Sequence, residues 1–277
     1  MFRGFYTAAS GMLTQQRRAE MLTNNLSNAN TPGFKTDQAS VRSFPEMLMQ
    51  RMGQQATTPN GNISLPIHSQ LGTLSTGVYM QEATPLYKQG DIQETELSTD
   101  LAIVNGNLPL NQESGKPGSL LFIIENSEGE ARYTRNGNFT LDGAGYLTTA
   151  NGNYVLDDNS SRIRLNSENF SINEDGMIVE NNQTVARVGI AFARDPFGLI
   201  KEGDGLFRTE GAMLASAYNT AGVSFNLKQG YLEGSNVDQA QTMTDMLTAY
   251  RTFEANQKIL QAYDKSMDKA VNEIGRL

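Results

Sequence analysis

Few residues in this chain have the types and spacing that chemistry requires. His68 is the single histidine, and there is no cysteine. A thiol nucleophile, a disulfide and a thiolate metal site are therefore excluded, and a zinc site would need several nitrogen or sulfur ligands. His68 stands between Pro66 and Gly72. No acid–serine arrangement lies near it, so it reads as a surface residue rather than a catalyst. Asp157-Asp158 and Glu174-Asp175-Gly176 could offer oxygens to calcium. Neither has the alternating ligand spacing of an EF-hand loop, so both read as solvated turns. Gly203-Asp204-Gly205 lacks the Lys-Ser/Thr ending of a phosphate loop and reads as a turn. Met243, Met246 and Met267 fall at helical spacing, which suits packing better than ligand binding. The expectation is a protein that is not an enzyme, with no catalytic residue, no metal and no cofactor.

The formal charge is −8 with no basic block, so nucleic acid is not an expected partner. No stretch approaches the apolar run of about 18 residues that a membrane span needs, so no stable membrane insertion is expected. Met1-Phe-Arg-Gly-Phe-Tyr6 lacks the apolar core of a cleavable signal. Export, if it occurs, is expected to use another route.

The elements explain the chain better than any site does. Ser235 and Asn236 are good helix caps, and no proline or glycine follows until Gly275. Met243, Met246, Tyr250, Phe253, Leu260, Met267, Val271 and Ile274 recur at three- and four-residue steps, with Gln257 and Asp264 as the polar members. This predicts a helix of roughly 60 Å from Val237 with one apolar seam. Leu247, Ile259 and Tyr263 widen that seam. Phe5, Ala8, Met12, Ala19, Leu22, Leu26 and Ala29 predict a second amphipathic helix near the start, with Gly4 and Gly11 weakening its first turns. Pro32-Gly33 ends it, after four asparagines suited to side-chain bonds with the backbone. Residues 36–85 read as an extended connector with a short helix over Ser43–Met52, beginning near Pro45. From 86 to 232 short apolar runs, among them Leu101–Val104, Leu120–Ile124, Tyr154–Leu156 and Val185–Phe192, alternate with turn dipeptides. Asn105-Gly106, Asn136-Gly137, Asp142-Gly143, Asn151-Gly152 and Asp175-Gly176 are of the kind that closes hairpins. This predicts an antiparallel barrel or sandwich-like domain. The fold class is α+β, with terminal helices, expected to pair as a coiled coil, flanking that domain.

The run Asn24-Asn-Leu-Ser-Asn-Ala-Asn-Thr-Pro-Gly-Phe-Lys35 resembles the N-terminal signature of bacterial flagellar rod and hook proteins. Gly234-Ser-Asn-Val-Asp238 and Tyr250-Arg-Thr-Phe-Glu-Ala-Asn-Gln-Lys258 resemble their C-terminal signature. Gln16–Met21 and Phe44–Leu48 are most similar to the FlgF/FlgG-type rod proteins of Gram-positive bacteria, the FlhO/FlhP pair. The resemblance implies a distal rod subunit of the flagellar basal body, sent out by the flagellar export apparatus without a cleaved signal. Its partners would be itself and other rod and hook subunits. It implies a helical polymerisation domain from 1–35 and 233–277, a connector over 36–85 and a β domain over 86–232. Its motif and interface residues would be Asn24, Asn25, Leu26, Asn28, Asn30, Thr31, Pro32, Gly33 and Phe34. In the C-terminal part they would be Ser235, Asn236, Val237, Met246, Tyr250, Phe253, Asn256, Gln257, Leu260 and Asp264. A hook or other axial subunit is the alternative within this family. A secreted β-domain binder on a helical stalk is the alternative outside it.

Overall fold

The computed structural model describes residues 2–51, 57–58, 61–62, 69–111, 115–167 and 169–274. The sequence expectation at His68 lies outside the described residues. Two compact units emerge, one of Met1–Asn24, Gln38–Thr84 and Ala240–Leu277, the other of Asn25–Asp37 and Pro85–Gln239.

The first unit holds the helices α1 (Phe2–Ser27) and α2 (Gln239–Lys269). α2 starts at Gln239 rather than Val237, and a wider turn over Ala270–Ile274 follows it. Its 31 residues span about 46 Å. The helices pack antiparallel: Gly4 lies against Tyr263 and Gly11 against Asn256, while Ala19 and Leu22 meet Ala249, with Met21 and Met246 packed around them. The two glycines that weaken α1 by propensity are thus where side chains of α2 need room. α1 turns its expected face inward, with Ala8, Ala19 and Leu22 buried. On α2 the covered positions are Thr242, Met246, Ala249, Phe253, Asn256, Leu260, Tyr263, Met267 and Ala270. Every second position of the seam is therefore one residue earlier than expected, while Met246, Phe253, Leu260 and Met267 lie where expected. Met243, Tyr250, Gln257, Asp264 and Val271 are exposed. Periodicity alone cannot choose between these faces, because both repeat every seven residues.

Strands β1 (Asp37–Ser43), β2 (Met47–Arg51), β3 (Thr57–Thr58), β4 (Gly61–Asn62), β5 (Ser69–Leu74) and β6 (Val78–Pro85) make up the rest of this region. β1 pairs β6, and β2 pairs β5 antiparallel with Met47 opposite Leu74. Of the helix expected over Ser43–Met52 the described residues 43–51 form none, and β2 takes up Met47–Arg51; Met52 lies outside the described residues. Cross-strand pairing outweighs the helix preference of Met and Leu here.

The second unit is the antiparallel core. Its strands are β7 (Ile92–Glu94), β8 (Leu101–Asn105), β9 (Ser119–Glu125), β10 (Ala131–Thr134), β11 (Phe139–Leu141), β12 (Leu147–Thr149), β13 (Tyr154–Val155), β14 (Phe170–Ile172) and β15 (Met177–Glu180). They continue with β16 (Gln183–Arg187), β17 (Ile190–Ala193), β18 (Ile200–Lys201), β19 (Leu206–Arg208), β20 (Ala215–Ser216), β21 (Phe225–Gln229) and β22 (Tyr231–Glu233). β9 is the centre, pairing β10 on one edge and both β13 and β17 on the other. Side chains alternate across its pleat. Leu120, Phe122 and Ile124 join one core cluster, and Leu121 and Ile123 join another. Covered on both faces, the strand is a continuous apolar run.

The expected barrel is not closed among the described residues. The largest sheet is open, running β11-β12-β13-β9-β10-β19-β18, with its ends at β11 and β18. The expected single strand Val185–Phe192 is two, β16 and β17, because the Val188 and Gly189 amides turn to the carbonyls of Gly176 and Leu156. Asp142-Gly143, Asn151-Gly152 and Asp175-Gly176 do lie in the links joining paired strands β11–β12, β12–β13 and β14–β15. Asn105-Gly106 and Asn136-Gly137 do not close hairpins. Gly106 donates to the Ser224 carbonyl and Gly137 accepts from the Leu101 amide. A β-carbon on Gly137 would collide with the Leu101 carbonyl. Gly137→Ala is therefore expected to destabilise the protein by about 2–3 kcal/mol, as overpacking against a fixed backbone does. Urea unfolding with no change at this position would contradict that close approach.

Candidate functional site

The β unit holds the chain where it arrives from α1 and where it departs toward α2. The Asn25 side chain closes the first segment, donating to the Asp37 carbonyl and accepting from the Asp37 amide, both at 2.9 Å. Between them the amides of Asn28, Thr31 and Phe34 bond the carbonyls of Asn25, Asn28 and Thr31. The Thr31 hydroxyl donates to the Asn28 side-chain oxygen at 3.2 Å. This is the use of the asparagine-rich run: polar groups leaving the helix are satisfied locally. Gly33 has φ +70°, and a β-carbon there would strike the Arg135 backbone, so only glycine fits. Its amide donates to the Glu233 carbonyl at 2.7 Å. Phe34 is buried, with the Lys201 ammonium 4.4 Å from its ring centre.

Asn236 fastens the departing segment. Its side-chain oxygen accepts from the Thr36 amide at 2.7 Å, and its side-chain nitrogen donates to the carbonyls of Leu86 and Lys88 at 2.8 and 3.0 Å. It therefore joins three chain segments, whereas the sequence suggested a helix cap. Gln239 reaches the Asn30 side chain at 3.2 Å.

At the centre lies Glu233, 2% exposed. One carboxylate oxygen accepts from the Lys35 ammonium and from the Gly90 amide at 3.0 Å. The other accepts from Arg135 Nε at 2.6 Å. Arg135 spends its remaining donors on the Leu120 and Ile103 carbonyls and the Asn105 side chain, at 2.6, 2.9 and 2.8 Å. Lys35 also donates to the Lys88 carbonyl at 2.8 Å. Two buried cations thus share one buried anion, and carbonyl oxygens absorb the excess positive charge. Burial pushes the Lys35 ammonium down to about 8; Glu233 opposes that shift and Arg135 adds to it. For Glu233, burial pulls upward, but Arg135 and Lys35 together outweigh it and hold the carboxyl below its ordinary value. Both carboxylate oxygens are occupied, so this group is a lock rather than a proton carrier.

The structure brings Asn25, Asn28, Asn30, Thr31, Gly33, Phe34 and Asn236 to this junction. Ser235 accepts from the Val237 amide beside it. Met246, Phe253, Asn256 and Leu260 lie on the covered face of α2, and Tyr250, Gln257 and Asp264 lie on exposed positions. Sequence reasoning missed Glu233 and Arg135 as site residues. The signal was an isolated acid just before Gly234 and a lone arginine between Tyr133 and Asp142. The turn acids also have plain roles. Asp157 accepts the Asn159 and Ser161 amides, and Asp142 accepts those of Ala144 and Tyr146.

Removing the one anion strands two buried cations. Glu233→Gln is expected to lower stability by about 3–5 kcal/mol, whereas Lys35→Met leaves the Arg135 pair intact and should change it by less than about 2 kcal/mol. Equal losses in urea unfolding would contradict this asymmetry. Lys35 sheds its proton near pH 8 when folded but keeps it to 10.5 when unfolded. The unfolded chain then binds more protons, so this group adds stability as pH rises from 8 to 10.5, and Lys35→Met should remove that rise. Glu233, lowered when folded, contributes fully above its ordinary 4.5 and loses that contribution as pH falls through its folded value. Thermal melts of both variants across pH check both signs.

Three family descriptions match along the chain: flagella basal body rod protein over residues 5–35, flagellar hook protein FlgE/F/G D1 domain over 117–180, and flagellar basal body rod FlgEFG protein C-terminal over 228–273. The flagellar hook-basal body complex protein FlhO of Bacillus subtilis is 42% identical, the match covering 100% of both chains. The basal-body rod protein FlgG of the same organism is 32% identical over 98% of this chain and 99% of its own. The hook-basal body complex protein FlhP, also from that organism, is 28% identical over 96% and 97%. The Glu233 junction joins the ends of the first and third matched regions, and the chain belongs to the flagellar basal-body rod and hook protein family.

Proposed function

We propose that the chain is a distal rod subunit of the flagellar basal body that polymerises through its terminal helices and transmits torque between motor and hook. The observation that carries this reading is the contrast between the two units. The β unit buries two apolar clusters and leaves Leu97, Leu110 and Met213 exposed in separate links between strands, while the helical unit exposes Tyr6 and Leu13 on α1, Met243, Leu247 and Tyr250 at successive turns of α2, and Val271 beyond it. Apolar surface of that extent on paired helices is what a neighbouring subunit would cover. A coiled-coil arrangement of the terminal helices with those of other subunits follows from the same seven-residue repeat. Gln257 and Asp264, on exposed positions, are suited to fixing register between subunits. In this reading residues 1–35 and 233–277 act as the polymerisation domain. Passage through the flagellar export apparatus without a cleaved signal belongs to it as well, and the absence of cysteine suits a chain that travels unfolded.

The rod is favoured over the hook because the chain matches the basal-body rod protein FlgG end to end, over 98% of this chain and 99% of its own. Electron microscopy of basal bodies from cells lacking the protein tests the reading. A rod that stops short of the hook is expected; complete filaments would overturn it. Limited proteolysis of the purified monomer is expected to trim the termini well before the β unit. Termini as resistant as that unit would contradict assembly-dependent ordering of the helices.

A further inference from the structure

Among the described residues, two apolar surfaces of the helical unit have no cover. The first is a groove of about 900 Å³ between the start of α1 and the strand region, with Arg3, Tyr6, Ser10, Leu13, Phe44 and Met47 among its walls. Tyr6 is 64% exposed and Leu13 55%. The second is a stripe on α2. Met243, Leu247 and Tyr250 are each about half exposed, and the exposed Glu254 follows one turn later. At 3.6 residues per turn these four positions fall within about 60° of arc, roughly a third of a turn from the face that meets α1. In its own chain α2 packs on α1 through Gly11 and through Gly4, which also lines the groove, and its exposed stripe points away from that contact.

We propose that the α2 stripe of a second copy docks in this groove, running antiparallel to α1. The proposal rests on the reading of the chain as an assembling subunit and names the contact that assembly would use. Along α1, Leu13, Tyr6 and Arg3 span about 15 Å; along α2, Met243, Tyr250 and Glu254 span about 16 Å. Antiparallel docking sets the partner's Met243 at Leu13, the partner's Tyr250 near Tyr6 and the partner's Glu254 at Arg3. Apolar then meets apolar, and the acid of the stripe meets the one base among the described residues of the groove wall. Tyrosine, methionine and arginine are residues that interface cores favour. Groove and stripe are different patches of one molecule, so the contact is head-to-tail, the kind from which open helical assemblies are built when the rotation does not close.

Charge reversal separates this contact from every arrangement inside one chain. The packing of Gly4 on Tyr263 places Arg3 about ten residues, roughly 15 Å, from Glu254 in the same molecule. Rescue between those positions therefore reports two copies. Arg3→Glu and Glu254→Arg are each expected to cut the number of rods per cell about threefold to tenfold, and the double variant to restore most of it. Both residues are exposed, so the melting temperature of the purified monomer should not move. Normal rods in both single variants, or a double variant no better than the worse single one, overturn the contact. A second test uses the absence of native cysteine. Oxidised basal bodies carrying Leu13→Cys with Met243→Cys should give a ladder of linked chains. Normal incorporation with monomer alone would overturn the proposal. A strain lacking the protein that still builds rods and hooks would instead overturn the subunit reading itself.

Discussion

The buried carboxylate of Glu233 is the contact on which the β unit's hold on both chain ends depends. A carboxylate taken out of water loses its hydration, and only close positive partners and donors compensate for that. Here the partners come from distant parts of the chain. Lys35 stands just after the run leaving α1, Arg135 immediately follows β10, the strand beside β9, and Gly90 lies on the segment that precedes β7. Because Arg135 also holds the carbonyls of Ile103 and Leu120, the ion cluster is continuous with the core strands. The terminal segments are therefore fixed to the sheet by directional bonds rather than by apolar burial alone. Such a cluster defines one geometry, at the expense of being intolerant to loss of its single anion.

Backbone close approaches extend the same logic. Gly33 brings its segment onto Arg135, and Asn236 stitches the segments around Thr36, Leu86 and Lys88 with one side chain. In the helical unit Gly4 and Gly11 admit Tyr263 and Asn256. The result is a molecule with one satisfied core and one set of helices that leave apolar residues at the surface.

Much of this was legible in the sequence, and the failures have physical causes. Both helices were visible because an apolar stripe repeating every three and four residues survives any context. Which of two adjacent stripes on α2 would face α1 was not visible, since Thr242, Ala249 and Asn256 are small or polar. They are covered because the partner face is itself narrow, not because they are hydrophobic. The β strands around β9 were legible from their apolar runs. That the sheet stays open was not, because pairing partners such as β13 and β17 on one edge of β9 are separated by dozens of residues. Met47–Arg51 read as a helix because local propensity carries no information about the strand it meets. The Glu233 cluster escaped for the same reason. Lys35, Arg135 and Glu233 are ordinary charged residues until folding places them together, and only the recognised motifs around them marked their neighbourhoods.

Hydrogen exchange of the Glu233→Gln variant, resolved by segment, tests the central role of this carboxylate most directly. Protection should fall sharply over residues 33–36, 88–91 and 233–237, the segments tied to it, while the amides of β9 keep theirs. Unchanged protection at those three segments, or an equal loss throughout β9, would contradict the account that one buried anion fastens both chain ends to the sheet.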